Sequence, residues 1–107
     1  MSPEIRRSPR FPFIAVAEII DTESGGRVEA RVSKLSLNGC YVDMPNALPV
    51  GSGVRIRIFA ESDCFEATAK VVYAHVNLGM GLAFQEVSLK SGSILREWLD
   101  RASKSET

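Results

Sequence analysis

The sequence predicts a mainly β domain: a six-stranded antiparallel β-barrel followed by one C-terminal α-helix. Three observations carry that expectation. Apolar and β-branched residues recur with a period of two in short runs from Phe13 to Phe84. Clusters rich in Gly, Asn and Pro separate those runs at short intervals. After Leu89 the apolar period lengthens to that of a helix. Closure into a barrel follows from the number of strands, because it removes the unpaired edges that an open sheet would leave exposed.

The first strand is expected over Phe13 to Ile20, an apolar run bounded by Pro12 and Asp21. A turn at Glu23-Ser-Gly-Gly26 leads into Arg27 to Ser33, where Val28, Ala30 and Val32 share one face. Asn38-Gly39 is a two-residue hairpin signal, because both central residues of a type I′ turn need positive φ. Cys40 to Met44 returns as a strand. Pro45 to Gly53 reads as a loop, and Val54, Ile56 and Ile58 alternate with Arg55 and Arg57 in the next strand.

After a polar turn at Glu61 to Asp63, Phe65, Ala67, Ala69, Val71 and Tyr73 line one face of a long strand ending near Val76. Asn77-Leu-Gly79 turns the chain into a last strand, with Met80, Leu82 and Phe84 inward. Its outward residues, Gly81, Ala83 and Gln85, include two small enough to admit close approach from outside. Ile94, Leu95, Trp98, Leu99 and Ala102 form one helical stripe over residues 89–101, with Trp98 packing the helix on the barrel. Residues 1–12 are thus expected as a flexible N-terminal arm, 13–103 as barrel plus helix, and 104–107 as a frayed tail.

At 107 residues and 45% apolar composition the chain fits one globular domain. The formal charge is zero, yet Arg6, Arg7 and Arg10 cluster at the N-terminus against Glu4 alone. Positive charge is therefore local, which argues against non-specific binding to long DNA or RNA. No run is long and apolar enough to span a membrane, and the start lacks the apolar core of a secretory signal, so a cytoplasmic location is expected. Cys40 and Cys64 are expected to be reduced.

No enzyme is legible. His75, the sole histidine, has no readable partner, the carboxylates are scattered, and no zinc spacing exists, so no catalytic or metal-ligating residue is assigned. Single-stranded nucleic acid would need aromatic platforms on a basic face. Phe13, Phe65, Tyr73 and Phe84 fall instead where a core needs them, and Phe11, Tyr41 and Phe59 are dispersed.

Arg6-Arg-Ser-Pro-Arg10 is the one dense basic cluster outside a regular element. Guanidinium forks suit phosphate oxygens and the acceptor edge of guanine, and Pro9 and Pro12 stiffen the segment, which lowers the entropy lost on binding. Lys34-Leu-Ser36-Leu-Asn-Gly39 adds a hydroxyl three residues before a glycine, between two strands.

Together these stretches resemble the PilZ domain family. Its signature is Arg-x-x-x-Arg near the N-terminus, followed about one hairpin later by Asp/Asn-x-Ser-x-x-Gly. Arg6 and Arg10 match the first half; Ser36 and Gly39 match the second. Ala69-Lys-Val-Val-Tyr73, Leu78-Gly-Met-Gly-Leu-Ala-Phe84 and Ile94 to Leu99 resemble the family's last two strands and terminal helix, so the likeness runs from about Glu4 to Arg101.

The resemblance implies a six-stranded barrel of PilZ type that binds cyclic di-GMP, with no other cofactor. By that likeness Arg6 and Arg10 grip phosphates and guanine edges, Arg7 adds charge or stacking, and Ser36 and Gly39 meet the ligand. Lys34 stands where the family has Asp or Asn. An ammonium only donates, so a bond accepted from guanine N–H is lost, and weaker binding is expected unless Lys34 turns to a phosphate. Ile5 offers no further cation, which favours one bound nucleotide. A stand-alone receptor of this kind would relay its signal through a protein partner of unidentified kind; a domain that has lost its ligand and serves only as an interaction module is the alternative.

Overall fold

Each alternating run becomes a strand in the computed structural model, which describes residues 9–105. In chain order these are β1 (Phe11–Asp21), β2 (Arg27–Leu35), β3 (Gly39–Asp43), β4 (Gly53–Ala60), β5 (Asp63–His75) and β6 (Gly79–Val87), followed by α1 (Leu89–Ser105). The barrel closes in the order β1-β2-β3-β6-β5-β4, with antiparallel neighbours throughout. Two three-stranded meanders therefore meet along β3–β6 and β1–β4. The connection between β3 and β4 crosses one end of the barrel and is tied to β5, where Gly51 N–H donates to Val71 O and Val71 N–H donates to Ser52 O.

Alternation explains the core. Ala17, Ile19, Val32, Val42, Ile56, Ile58, Phe65 and Val71 all point inward and are buried. At about 25 cal/mol per Å² of apolar surface removed from water, this interior is the main source of stability. Trp98, 2% exposed, plugs one end from α1, with its ring 5.2 Å from Phe13 and 6.5 Å from Phe65. Ser88 starts the helix, its hydroxyl accepting from Ser91 N–H at 3.1 Å. Ser91 in turn accepts from Glu66 N–H at 3.0 Å, which fixes α1 to β5.

The element boundaries differ from the expected ones at both ends. Phe11 and Pro12 belong to β1, paired with Leu35 and Lys34, because β2 runs two residues beyond Ser33. Lys104 and Ser105 belong to α1, whose last turn carries an i,i+4 ion pair between Lys104 and Asp100 at 3.1 Å.

Two local expectations are overturned. Asn38 and Gly39 do not adopt positive φ; among the described residues only Gly25, Gly51, Glu61 and Asn77 do. Gly39 is instead the first residue of β3, and its lack of a side chain answers to packing. A Cβ there would collide with the Leu82 carbonyl oxygen of β6.

Tyr73 does not continue the core face of β5. The pairing with β6 slips between Val71, opposite Leu82, and Tyr73, opposite Gly81. This β-bulge reverses the phase of the strand and turns Tyr73 outward.

Candidate ligand-binding site

Two bulges and one turn build the site. In β2 the register with β3 slips between Val32 and Lys34. Ser33 and Lys34 consequently both face outward, Ser33 Oγ donating to Asp43 Oδ1 at 3.0 Å and Lys34 lying opposite Tyr41. In β5 the bulge described above brings Tyr73 to the same outer surface. Between them lies the turn Ser36-Leu37-Asn38, which joins β2 to β3.

Ser36 organises that turn. Its hydroxyl donates to Gly39 O at 3.2 Å and accepts from Gly39 N–H at 3.1 Å and Asn38 N–H at 3.3 Å, while Ser36 N–H donates to Gly39 O at 2.8 Å. The side chain is buried, so these bonds substitute for water. Asn38 O accepts from Phe84 N–H at 2.8 Å, which seats the turn on β6.

A surface pocket of about 190 Å³ opens beside the turn. Arg10, Lys34 and the Ser36 turn line it together with Tyr73 and Ala83. The structure therefore brings together four residues expected from the sequence: Arg10, Lys34, Ser36 and Gly39. Arg6 and Arg7, like Ile5, lie outside the described residues.

Tyr73, the one aromatic residue lining the pocket, belongs to a cluster of rings that extends away from it. Gly81 sits beneath the Tyr73 ring so closely that a Cβ would collide with it, and the Tyr41 ring lies over Gly79. Tyr41 and Tyr73 stack with centroids 6.1 Å apart and planes at 27°, and His75 lies 5.3 Å from the Tyr73 ring and 5.7 Å from that of Tyr41. The small outward residues of β6 thus admit the protein's own rings. These rings were missed in the sequence because Tyr73 is in phase with the core until Val72 is bulged out; the legible signal was an outward Val72 beside two outward glycines.

Charge around the pocket is uneven. Arg31 is held by Asp43, with Nη2 2.9 Å and Nε 3.1 Å from Oδ2. Arg10 and Lys34 have no acidic partner among the described residues, and the Arg10 guanidinium rests 5.8 Å from the centre of the Tyr73 ring. Two cations at one polar turn, without an acidic partner among the described residues, favour an anion.

Tyr41 Oη and His75 Nδ1 are 3.0 Å apart. Burial lifts the Tyr41 phenol above its ordinary pKa, and the neighbouring Tyr73 and Asp43 push the same way. The phenol stays protonated at neutral pH and donates to Nδ1 when the imidazole proton is on Nε2. Cys40, beneath the pocket, is pushed up to about 12 by burial and is an inert thiol. Both cysteines are free. Among the described residues no group of three or more His, Cys, Asp or Glu converges as a metal site would require, and no helix is long and apolar enough to cross a membrane.

A closed six-stranded barrel with a helical plug and a cationic pocket on its outer wall defines a small β-barrel domain. The sequence pattern of the PilZ domain matches residues 4–101, and the chain belongs to that family. Solved structures share the fold. The PilZ domain of Escherichia coli YcgR with c-di-GMP superposes with a TM-score of 0.76 at 15% identity, covering 94% of this chain and 93% of that one. The PilZ domain of CeSA from a cellulose-synthesizing bacterium gives 0.67 at 20% identity, covering 94% and 100%. Bacillus subtilis Inhibitor of motility (MotI/DgrA) gives 0.77 at 16% identity over 94% of this chain but 52% of its own length, so this chain spans about half of it. No curated protein sequence matches.

Proposed function

We propose that this domain is a receptor for cyclic di-GMP, captured at the pocket between Arg10, the Ser36 turn and Tyr73. The observation that carries this reading is the convergence of Arg10 and Lys34, neither with an acidic partner among the described residues, on a pocket walled by an aromatic ring. A cyclic dinucleotide offers two phosphates for the cations and two guanines for the ring. Its fold relatives include a PilZ domain solved with c-di-GMP.

Each residue takes a distinct part. Arg6 and Arg10 grip phosphates and guanine edges, and Arg7 adds charge. Lys34, where the family pattern has Asp or Asn, turns to a phosphate, because it stands exposed at the pocket rim. Ser36 acts by holding the turn, its hydroxyl being committed to Gly39 and Asn38, and Gly39 acts by letting β3 approach β6. Binding in the cytoplasm closes the N-terminal segment over the nucleotide and changes the surface offered to a protein partner.

Calorimetric titration tests this reading. The wild-type chain binds cyclic di-GMP, and Arg10→Ala weakens binding by roughly 1.5–3 kcal/mol, about tenfold or more, with an unchanged melting temperature. Lys34→Asp weakens it as well; equal affinity would show that Lys34 carries no part of the binding. No heat and no chemical-shift change with the wild type would overturn the receptor reading in favour of a ligand-independent interaction module.

A further inference from the structure

Away from the pocket, the outer face of β1 and β4 carries three largely exposed apolar side chains. Ile14 is 66% exposed, Val16 50% and Phe59 43%. Val16 and Phe59 are direct cross-strand neighbours, and Ile14 lies one outward position earlier on β1. Together they form a contiguous ridge beside a shallow groove that also touches Arg31 and Glu61. Single exposed apolar residues are ordinary, but a contiguous cluster framed by charge marks an interaction surface.

The frame identifies what covers it. Across the sheet the row runs Arg31 on β2, Val16 on β1, Phe59 on β4. Ile14 and Glu61, the latter in the turn after β4, lie toward the helical end. Arg31 and Glu61 therefore occupy diagonally opposite corners, with the apolar residues between them. A two-fold axis lying in the plane of this face, perpendicular to the line joining the corners, exchanges the two. Each arginine then meets the glutamate of the second copy while the apolar ridges meet each other. Such a patch is complementary to itself, as an isologous dimer requires.

The intramolecular partners support the same pairing. Arg31 is bound to Asp43 and Glu61 to Arg101, with Arg101 Nη1 2.6 Å from Glu61 Oε1. Both rim residues remain more than half exposed, at 64% and 59% of the side chain. Pairing across the axis would extend an alternating row: Asp43, Arg31, then Glu61 and Arg101 of the second copy. No like charges are brought together.

We propose that two copies of this chain associate through the Ile14–Val16–Phe59 face, with Arg31 and Glu61 pairing across a two-fold axis. The proposal is independent of the nucleotide pocket, which opens on the β2–β3–β6 side. Three apolar side chains make a small interface, so dissociation is expected at roughly 10 µM to 1 mM, in the transient class.

Sedimentation equilibrium over that concentration range, without nucleotide, reads the association directly. The wild-type chain is expected to pass from monomer to dimer, and Val16→Glu to remain monomeric throughout. Arg31→Glu and Glu61→Arg should each weaken dimerisation at least tenfold, and the double variant Arg31→Glu/Glu61→Arg should restore it. Circular dichroism on each variant separates lost association from lost folding; because Val16 is exposed, Val16→Glu keeps the test valid even if a charge reversal unfolds the chain. A wild-type chain that stays monomeric at every concentration overturns the proposal and leaves the face to a different protein. So does a dimer indifferent to Val16→Glu, or one that the folded double variant fails to restore.

Discussion

The two sides of the barrel wall are built by opposite rules. Between β1 and β4, and between β4 and β5, the ladders run without interruption, and every residue keeps the face that its position dictates. The side that carries the pocket breaks register three times, at Ser33 in β2, at Val72 in β5 and at Gln85 in β6. The regular side holds the helix and the Trp98 plug, with Phe13 and Phe65 beneath it. The irregular side aims Lys34 and Tyr73 outward. Regular pleating supplies stability, and two of the departures from it deliver side chains to the site.

If this division of labour is right, substitutions should sort cleanly by side. The largest effect belongs to the plug: Trp98→Ala removes a buried ring and should cost about 3–5 kcal/mol of stability, read as a lower urea midpoint. Gly39→Ala comes next and tests the β3–β6 seam inside the irregular side. Its Cβ must push β3 away from β6 at the Leu82 carbonyl, so both stability and binding should fall, the former by about 1–3 kcal/mol.

Tyr73→Leu should then separate the sides most sharply. It keeps an apolar side chain over Gly81 yet removes the ring, so affinity for cyclic di-GMP should drop by about 1 kcal/mol, whereas the half-exposed position should move the melting temperature little. The smallest effect belongs to the regular side's charges. Arg57 bridges Glu66 at 2.5 Å and approaches Glu18 at 3.8 Å, but it is half exposed; Arg57→Met should change stability by less than about 1 kcal/mol and leave binding untouched. A large loss of binding in Arg57→Met would break the comparison.

Legibility in the sequence followed the same division. Alternation in Val54 to Ile58 and in Phe65 to Val71 was sufficient to predict strands, inward faces and the helix-packing Trp98, because an uninterrupted pleat has one period. Arg10, Lys34, Ser36 and Gly39 were also legible, through motif spacing. What escaped was the consequence of the bulges. A one-residue slip leaves composition unchanged but inverts every later side chain, so Tyr73 read as core. The role of Gly39 escaped for a related reason: the approach of Leu82 comes from a strand some forty residues away, and nothing local encodes it.

Closure of the sheet has a consequence for how anything recognises this domain. With β1 hydrogen-bonded to β4, the circle of six pairs every strand on both sides along most of the wall, and only residues 27–30 of β2 and 84–87 of β6 run past the short β3 ladder. Over the closed part of the wall a protein cannot be recruited by adding a strand of its own, the route by which many β domains capture extended peptides. Recognition has to be written in side chains on a convex shell, where a handful of substitutions can redirect it without disturbing the ladder beneath.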